Sequence, residues 1–291
     1  MATLGWIGAG EIGMPMAQRL LRAGHVLHVW GRDARRLQPL LDAGAYRAAS
    51  PAALGRDCEA VLLCVTDTEA VRQVVFGEQG IATVPGHDKI LIDHSTIHPQ
   101  SCRDMAATLR ATCGREWLDA PVSGGPAGAT QGRLAIFVGG DAAAFARTCP
   151  WMQSYAETIT HVGGSGAGQI LKSCNQAVVA TTIAAWAEAL NYAKNCEVDV
   201  AQLVAALAGS WSDSPVLRQL VPHMLRNAYP PGAAALMLKD LDIVGDMAKQ
   251  TRSPMLLAST AASLLRLQIA LGENDAGPPG LMRIYRKDPL L

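Results

Sequence analysis

Gly8-Ala9-Gly10-Glu11-Ile12-Gly13 joins a short apolar run, Leu4-Gly5-Trp6-Ile7, to a helical pattern over residues 14–21. Residues 3–7 read as a strand, so the three glycines fall where a strand turns into a helix. In that setting Gly8 permits the tight turn, Gly10 lets a pyrophosphate approach the backbone, and Gly13 lets helix and strand pack closely. The N–H groups at the helix start favour anionic phosphates. A second strand over residues 26–30 completes a β-α-β unit. The fold expected is therefore α/β at the N-terminus, a dinucleotide-binding domain with Gly8, Ala9, Gly10, Glu11, Ile12 and Gly13 on the cofactor. A glycine turn of some other α/β protein is the plainer alternative, and the placement of the pattern argues against it.

The second strand runs into Val29-Trp30-Gly31-Arg32-Asp33. An acid at a strand tip here binds the ribose hydroxyls of NAD; an arginine pairs with a 2′-phosphate. Gly31 and Arg32 thus point to NADP(H) in preference, with NAD(H) also admissible, while Asp33 is expected to cap a helix starting at Ala34. A solvated surface charge is the alternative for Arg32. Strands and helices keep alternating. Residues 60–65 form a strand whose carboxyl end carries Val65 and Thr66, and residues 89–93 form another, followed by Ser95-Thr96. Open α/β sheets bind ligands at that edge, so Val65, Thr66 and Thr96 are candidate cofactor contacts. Equally, Ser95 or Thr96 can cap the helix expected near Pro99. His94 and His98 are four apart, but Pro99 follows directly, which disfavours a shared helix face and a metal pair.

A strand over residues 116–119 leads into Asp119-Ala120-Pro121-Val122-Ser123-Gly124-Gly125. The hydroxyl of Ser123 and the N–H groups of Gly124 and Gly125 suit an anion such as a carboxylate; an ordinary glycine-rich loop is the alternative. Strands over 134–138 and 158–162 close this half. Then strand signals stop. Residues 166–194 form one long apolar helical stretch, followed by helical patterns over 199–207, 216–226, 233–249 and 254–271. Loops are expected over 227–232 and 272–280. Near the start of the long helix, Lys172 and Asn175 are three apart and share a face. A lysine facing inward there is costly unless it is used; snorkelling to solvent is the alternative.

The totals narrow the function. The chain has 291 residues, 49% of them hydrophobic, and a formal net charge of zero. That length suits two domains, expected over 1–162 and 163–291. The neutral balance argues against nucleic acid or an anionic membrane as the main partner. The seven cysteines are scattered without a C-x-x-C pair, which argues against a disulfide framework or zinc site and suits a reduced, cytoplasmic setting. No signal peptide is visible. The uncharged run of the long helix, residues 173–187, is short for a membrane span.

With these residues in view, the chain resembles the β-hydroxyacid dehydrogenase family, whose members include 3-hydroxyisobutyrate dehydrogenase and tartronate semialdehyde reductase. Four ordered blocks carry the resemblance over nearly the whole chain: Gly8 to Gly13 with Met16-Ala17; Asp119 to Gly125; Gly166-x-Gly168-x-x-x-Lys172-x-x-Asn175; and Lys239-Asp240-Leu241. The resemblance implies an N-terminal Rossmann-type domain followed by an all-α domain. It also implies Ser123, Gly124 and Gly125 on the substrate carboxylate, Lys172 as catalytic lysine with Asn175 as its partner, and Lys239 near the cofactor. The reaction implied is hydride transfer between the nicotinamide and the carbon bearing a hydroxyl β to a carboxylate. Lys172 serves as general acid and base if burial brings its pKa from about 10.4 towards neutrality. No metal is required. Departures occur at Cys64-Val65-Thr66-Asp67, at Ala233 to Leu236 and in the proline- and glycine-rich stretch 274–280; they bear on the substrate. An imine reductase and a non-catalytic cofactor-sensing module are the competing readings, and retention of Lys172 weighs against both. The family commonly pairs through the helical half, so a homodimer or homotetramer acting on a small carboxylate is expected.

Overall fold

The structure is a computed structural model that describes residues 1–229 and 232–285. The chain divides into two compact units, Met1–Lys172 and Ser173–Leu291. Residues 163–172, expected with the helical half, fall in the first unit, because the first turn of the long helix is hydrogen-bonded to the loops at the sheet edge.

The first unit alternates as its sequence predicts. Its strands are β1 (Thr3–Ile7), β2 (Val26–Trp30), β3 (Tyr46–Arg47), β4 (Ala60–Leu63), β5 (Ile90–Asp93), β6 (Glu116–Asp119), β7 (Val122–Ser123), β8 (Leu134–Gly139) and β9 (Ala156–Gly163). Between them run α1 (Gly13–Arg22), α2 (Gln38–Asp42), α3 (Pro51–Asp57), α4 (Thr68–Phe76), α5 (Pro99–Cys113), α6 (Gly125–Gln131) and α7 (Ala142–Met152). One sheet takes the order β3-β2-β1-β4-β5-β6-β8-β7, with β9 on β8. The strands from β3 to β6 are parallel; β8 runs antiparallel to β6 and β7. The order therefore reverses between β1 and β4, which makes their carboxyl ends the topological switch point of a Rossmann-type sheet.

Burial explains why these strands were readable. All residues of β4 and β5 are buried, as in parallel strands covered on both faces, which read as continuous apolar runs. Successive side chains serve opposite layers. Leu62 packs with Leu4, Trp6, Met16, Leu20 and Ile92, whereas Leu63 packs with Ile7, Val71, Leu91 and Leu109. Each such leucine contributes about 1.5–3 kcal/mol by leaving water.

The second unit takes the rest of α8 (Ala167–Asn195), then α9 (Leu203–Ala206), α10 (Pro215–Gln219), α11 (Val221–Arg226), α12 (Ala234–Thr251) and α13 (Leu256–Ala270). Its core joins Ala180, Ile183, Ala187 and Leu190 to Leu217, Val221, Met224, Leu241, Ala261 and Leu265. Two helices differ from expectation. The stretch 216–226 is two helices meeting at Leu220, because Pro222 has no N–H to give Arg218 and its ring crowds the preceding turn. The stretch 199–207 is helical only over Leu203–Ala206. The Asp199 carboxylate instead takes the N–H of Ala201 in a turn, and Gly209 follows with φ +76°. Of the loop expected over 227–232, Pro230 and Pro231 lie outside the described residues. The stretch 272–280 ends in a 3₁₀ turn, Pro278–Tyr285. Among the described residues no helix is long and apolar enough to cross a membrane.

Candidate active site

The three glycines of the N-terminal turn are required for different reasons. Gly8 has φ +109°, and a Cβ there would stand 2.0 Å from the Cys64 carbonyl oxygen. The turn is thus pressed against the end of β4, at the switch point. A Cβ on Gly13 would stand 2.0 Å from the Gly8 carbonyl oxygen. Gly10 is exposed, and a Cβ there would meet nothing within 4 Å. Gly8 and Gly13 are held by protein packing; Gly10 faces open space, where a ligand can approach the backbone. No side chain caps the first turn of α1, and that turn contains no acid, so an anion is welcome at its N–H groups. These features fit the diphosphate of a nicotinamide dinucleotide.

Past β2, Arg32 is exposed. Asp33 caps the following 3₁₀ turn through Arg35 N at 3.0 Å and also meets Arg35 Nε at 3.3 Å. The capping role read from the sequence is present, and the carboxylate is thereby engaged within its own loop.

At the ends of β4 and β5 the loops are tied together. Ser95 Oγ accepts from Val65 N at 2.9 Å, and Ser95 N donates to Asp93 Oδ1 at 2.9 Å. Thr66 is exposed and Thr96 half-buried on the same edge. Neither Ser95 nor Thr96 caps α5. His98 does, its ring nitrogen accepting from Gln100 N at 3.2 Å, because the chain needs three more residues after Ser95 before Pro99 fixes the first helical turn.

His94 is buried and makes two bonds. Nδ1 lies 2.7 Å from the Ala120 carbonyl, which can only accept, so that nitrogen carries the proton. Nε2 then accepts from Tyr155 Oη at 2.9 Å. His94 stacks on Trp6 at a centroid distance of 6.2 Å. Burial pushes its pKa down to about 4 from 6.5. Above pH 6.5 folded and unfolded chains both hold it neutral. Below, the unfolded chain binds the proton first, so stability drains away between 6.5 and 4, by about 3 kcal/mol in all at 1.36 kcal/mol per unit. Urea unfolding from pH 7 to 4 is expected to give a shallower pH slope for His94→Gln than for the parent; equal slopes overturn this. Among the described residues no group of three or more His, Cys, Asp or Glu side chains is placed to hold a metal.

The loop after β6 brings Lys172 into the first unit's site. Lys172 is buried, and its Nζ donates to the Val122 carbonyl at 2.8 Å, one residue before Ser123. Gly124 (φ +126°) and Gly125 (φ +62°) turn the chain into α6, whose start has no side-chain cap, and a Cβ on Gly125 would meet nothing within 4 Å. The backbone of this turn therefore has room for a small anion beside the lysine.

Asp119, fully buried, supports the same helix. Its Oδ1 accepts from Gly166 N at 2.8 Å and its Oδ2 from Gln169 N at 3.0 Å. Burial pushes its pKa up, and these backbone bonds oppose the rise. Gln169, also buried, accepts from Ile97 N at 3.1 Å and donates to Ser95 O at 2.8 Å.

In the second unit, Asn175 Nδ2 donates to Gln176 Oε1 at 3.0 Å, and Gln176 Nε2 donates to Asp240 Oδ2 at 2.6 Å. Lys239 Nζ stands 3.1 Å from Asp240 Oδ1. The flexible lysine stem folds back onto its neighbour, and the chain Asn175–Gln176–Asp240–Lys239 is continuous.

The first unit thus gathers the glycine turn, Val65, Thr66, Thr96, the Ser123 loop and Lys172 on one edge of its sheet. Asn175 and Lys239 belong to the second unit. Sequence reasoning missed Asp119 as a cap, together with Gln169, His94 and Gln176. One signal was available for Asp119: α8 starts at Gly166-Ala167 without a capping side chain of its own, so its orphan N–H groups need an acceptor from elsewhere.

Residues 3–163 match the NAD binding domain of 6-phosphogluconate dehydrogenase, and residues 166–285 match the NAD-binding domain of NADP-dependent 3-hydroxyisobutyrate dehydrogenase. The 2-hydroxy-3-oxopropionate reductase of Escherichia coli (strain K12) is 38% identical over 283 residues, covering 96% of each chain. The crystal structure of 3-hydroxyisobutyrate dehydrogenase from Salmonella typhimurium superposes with a TM-score of 0.88 at 29% identity, over 98% of this chain and 100% of that one. An imine reductase from Pseudomonas sp. reaches a TM-score of 0.65 at 18% identity, a likeness of fold alone. With both halves matched and relatives covered over almost their whole length, this chain belongs to the β-hydroxyacid dehydrogenase family of NAD(P)-dependent oxidoreductases.

Proposed function

We propose that this enzyme interconverts a small β-hydroxy acid and its semialdehyde, of the 2-hydroxy-3-oxopropionate or 3-hydroxyisobutyrate kind, and that NADP(H) is its preferred cofactor. The observation that carries the reading is the Lys172 ammonium resting on the Val122 carbonyl, directly before Ser123-Gly124-Gly125. The nicotinamide cofactor, when bound, supplies or accepts the hydride. Gly8 to Gly13 would hold its diphosphate; Gly31, Arg32, Val65, Thr66, Thr96 and Lys239 would contact the rest. The Ser123 hydroxyl and the Gly124 and Gly125 N–H groups hold the substrate carboxylate, which orients the reacting carbon. Lys172 gives a proton to the carbonyl oxygen in reduction and takes it from the hydroxyl in oxidation. The Asn175 amide orients the substrate oxygen. A steady-state panel of β-hydroxy acids, semialdehydes and cyclic imines with both NADPH and NADH tests the reading. Turnover of an imine with none of any hydroxy acid overturns it.

The cofactor preference rests on Arg32. It is exposed just past β2, free to meet a 2′-phosphate, while Asp33 is engaged by Arg35, and this supports the reading. Removing one charge-assisted contact costs about 1.5–3 kcal/mol, or roughly 10- to 150-fold. Arg32→Ser is therefore expected to raise KM for NADPH by that factor and leave KM for NADH within twofold. Equal changes for both cofactors refute the assignment.

We also infer a homodimer or homotetramer. Besides its inward face, α13 exposes Leu256, Leu257 and Leu267, with Leu271 exposed at its C-cap, and a helix apolar on both sides calls for a second partner. Light scattering that returns a clean monomer removes the inference. A reduced, cytoplasmic setting is the one proposed, supported by seven cysteines that are all free thiols.

A further inference from the structure

The assignment of Lys172 as the proton-transferring group leaves open what aims it. We propose that Asp119 is a positioning residue for Lys172: its carboxylate fixes the start of α8, and so the height and rotation at which the lysine presents its ammonium. The inference rests on the reading of Lys172 given above.

Two short segments are fastened to each other at both ends. At one end Asp119 takes the N–H groups of Gly166 and Gln169, at 2.8 and 3.0 Å. At the other, Lys172 Nζ reaches the carbonyl of Val122 at 2.8 Å. The fastening points are three positions apart on each side, 119 to 122 and 169 to 172. Gln169 adds a third link, from the same helical turn to Ile97 N and Ser95 O, and Ser95 in turn holds Val65 N. The lysine is thereby registered against the Ser123 loop and against the loops that end β4 and β5.

Two glycines pack against Asp119, and the Phe137 carbonyl, 2.3 Å from a Cβ on Gly168, crowds that glycine as well. A Cβ on Gly168 would stand 2.7 Å from the Asp119 carbonyl oxygen and 2.9 Å from Oδ2; one on Gly139 would stand 2.6 Å from Oδ1. The helix can start this close to the carboxylate only because those side chains are missing. Both carboxylate oxygens accept from helix N–H groups and the residue is fully buried. Asp119 therefore acts through Lys172 rather than on substrate. An ionised carboxylate offers two acceptors and no donor, whereas an asparagine offers one acceptor and turns an NH₂ towards a helix N–H.

The test is a double-mutant cycle with turnover normalised to cofactor-binding sites. Misplacing a catalytic group by about 1 Å costs about 100-fold, so Asp119→Asn should lower kcat by about that factor, with KM for substrate and cofactor within about threefold. In the Lys172→Ala background, the residual rate at high enzyme, with and without added propylamine, should change less than about threefold on adding Asp119→Asn, because no helix-borne amine remains to be aimed. Gln169→Leu is put through the same cycle and decides the matter if Asp119→Asn does not bind cofactor. Two results overturn the proposal: kcat within threefold of the parent, or an equal loss in the presence and absence of Lys172. The second would show that Asp119 serves the loop or the fold instead. Normal turnover by Lys172→Ala itself is a separate failure, that of the lysine assignment.

Discussion

Lys172→Ala is expected to lower turnover by about 10²–10⁴-fold, the usual range for removing a general acid–base group, while cofactor affinity stays within twofold. Lys172 is buried, and its amine lies against a carbonyl one residue from the carboxylate loop. The neighbouring acid in its unit cannot stand in, because both oxygens of Asp119 are taken up by the helix start. Lys172→Met separates chemistry from packing, since it keeps the buried stem and removes the amine. Lys172→Arg supplies a positive charge and a donor but does not release a proton, its guanidinium remaining charged up to about pH 12. All three should bind cofactor and fail at the chemical step, read as the loss of nicotinamide absorbance change in a single turnover. A turnover within tenfold of the parent in any of them takes the chemistry away from Lys172.

The second large effect is on folding. Gly8→Ala puts a Cβ 2.0 Å from the Cys64 carbonyl oxygen on a residue with φ +109°. Strained backbone costs about 1–3 kcal/mol and overpacking a further 1–3 kcal/mol, so a loss of about 3 kcal/mol or more is expected. The damage falls where β1 and β4 meet, at the heart of the sheet. Gly10→Ala, by contrast, places its methyl in open space. It should melt within about 2 °C of the parent, as surface substitutions do, and still bind cofactor at least tenfold more weakly. Calorimetry and cofactor titration on the two variants separate the roles. Equal melting temperatures for both would overturn the close approach at Gly8.

Much of the first unit was legible because its parallel strands are buried on both faces. Residues 3–7, 26–30 and 116–119 read as strands from apolar runs and are β1, β2 and β6. The second unit was harder. Helical periodicity ran straight through Pro222, and only the missing N–H says that the helix must restart there. The candidate site was legible as motifs: the glycine turn, the serine–glycine loop and Lys172 are each local in sequence. Its supports were not. The acceptor that caps α8 lies 47 residues before Gly166, and the partner of His94 lies 61 residues away. Such bonds join loops whose spacing carries no periodic signal.

The position of the division between the units bears on descent. The first unit closes with Lys172, so a recombination breakpoint just after that codon would transmit the nucleotide turn, the serine–glycine loop and Lys172 as one inherited block. A breakpoint at the last strand of the sheet, near Gly163, would part the lysine from both the carbonyl it rests on and the aspartate that holds its helix. Lineages shuffling their helical halves would keep Lys172 together with both of its supports only with the later junction.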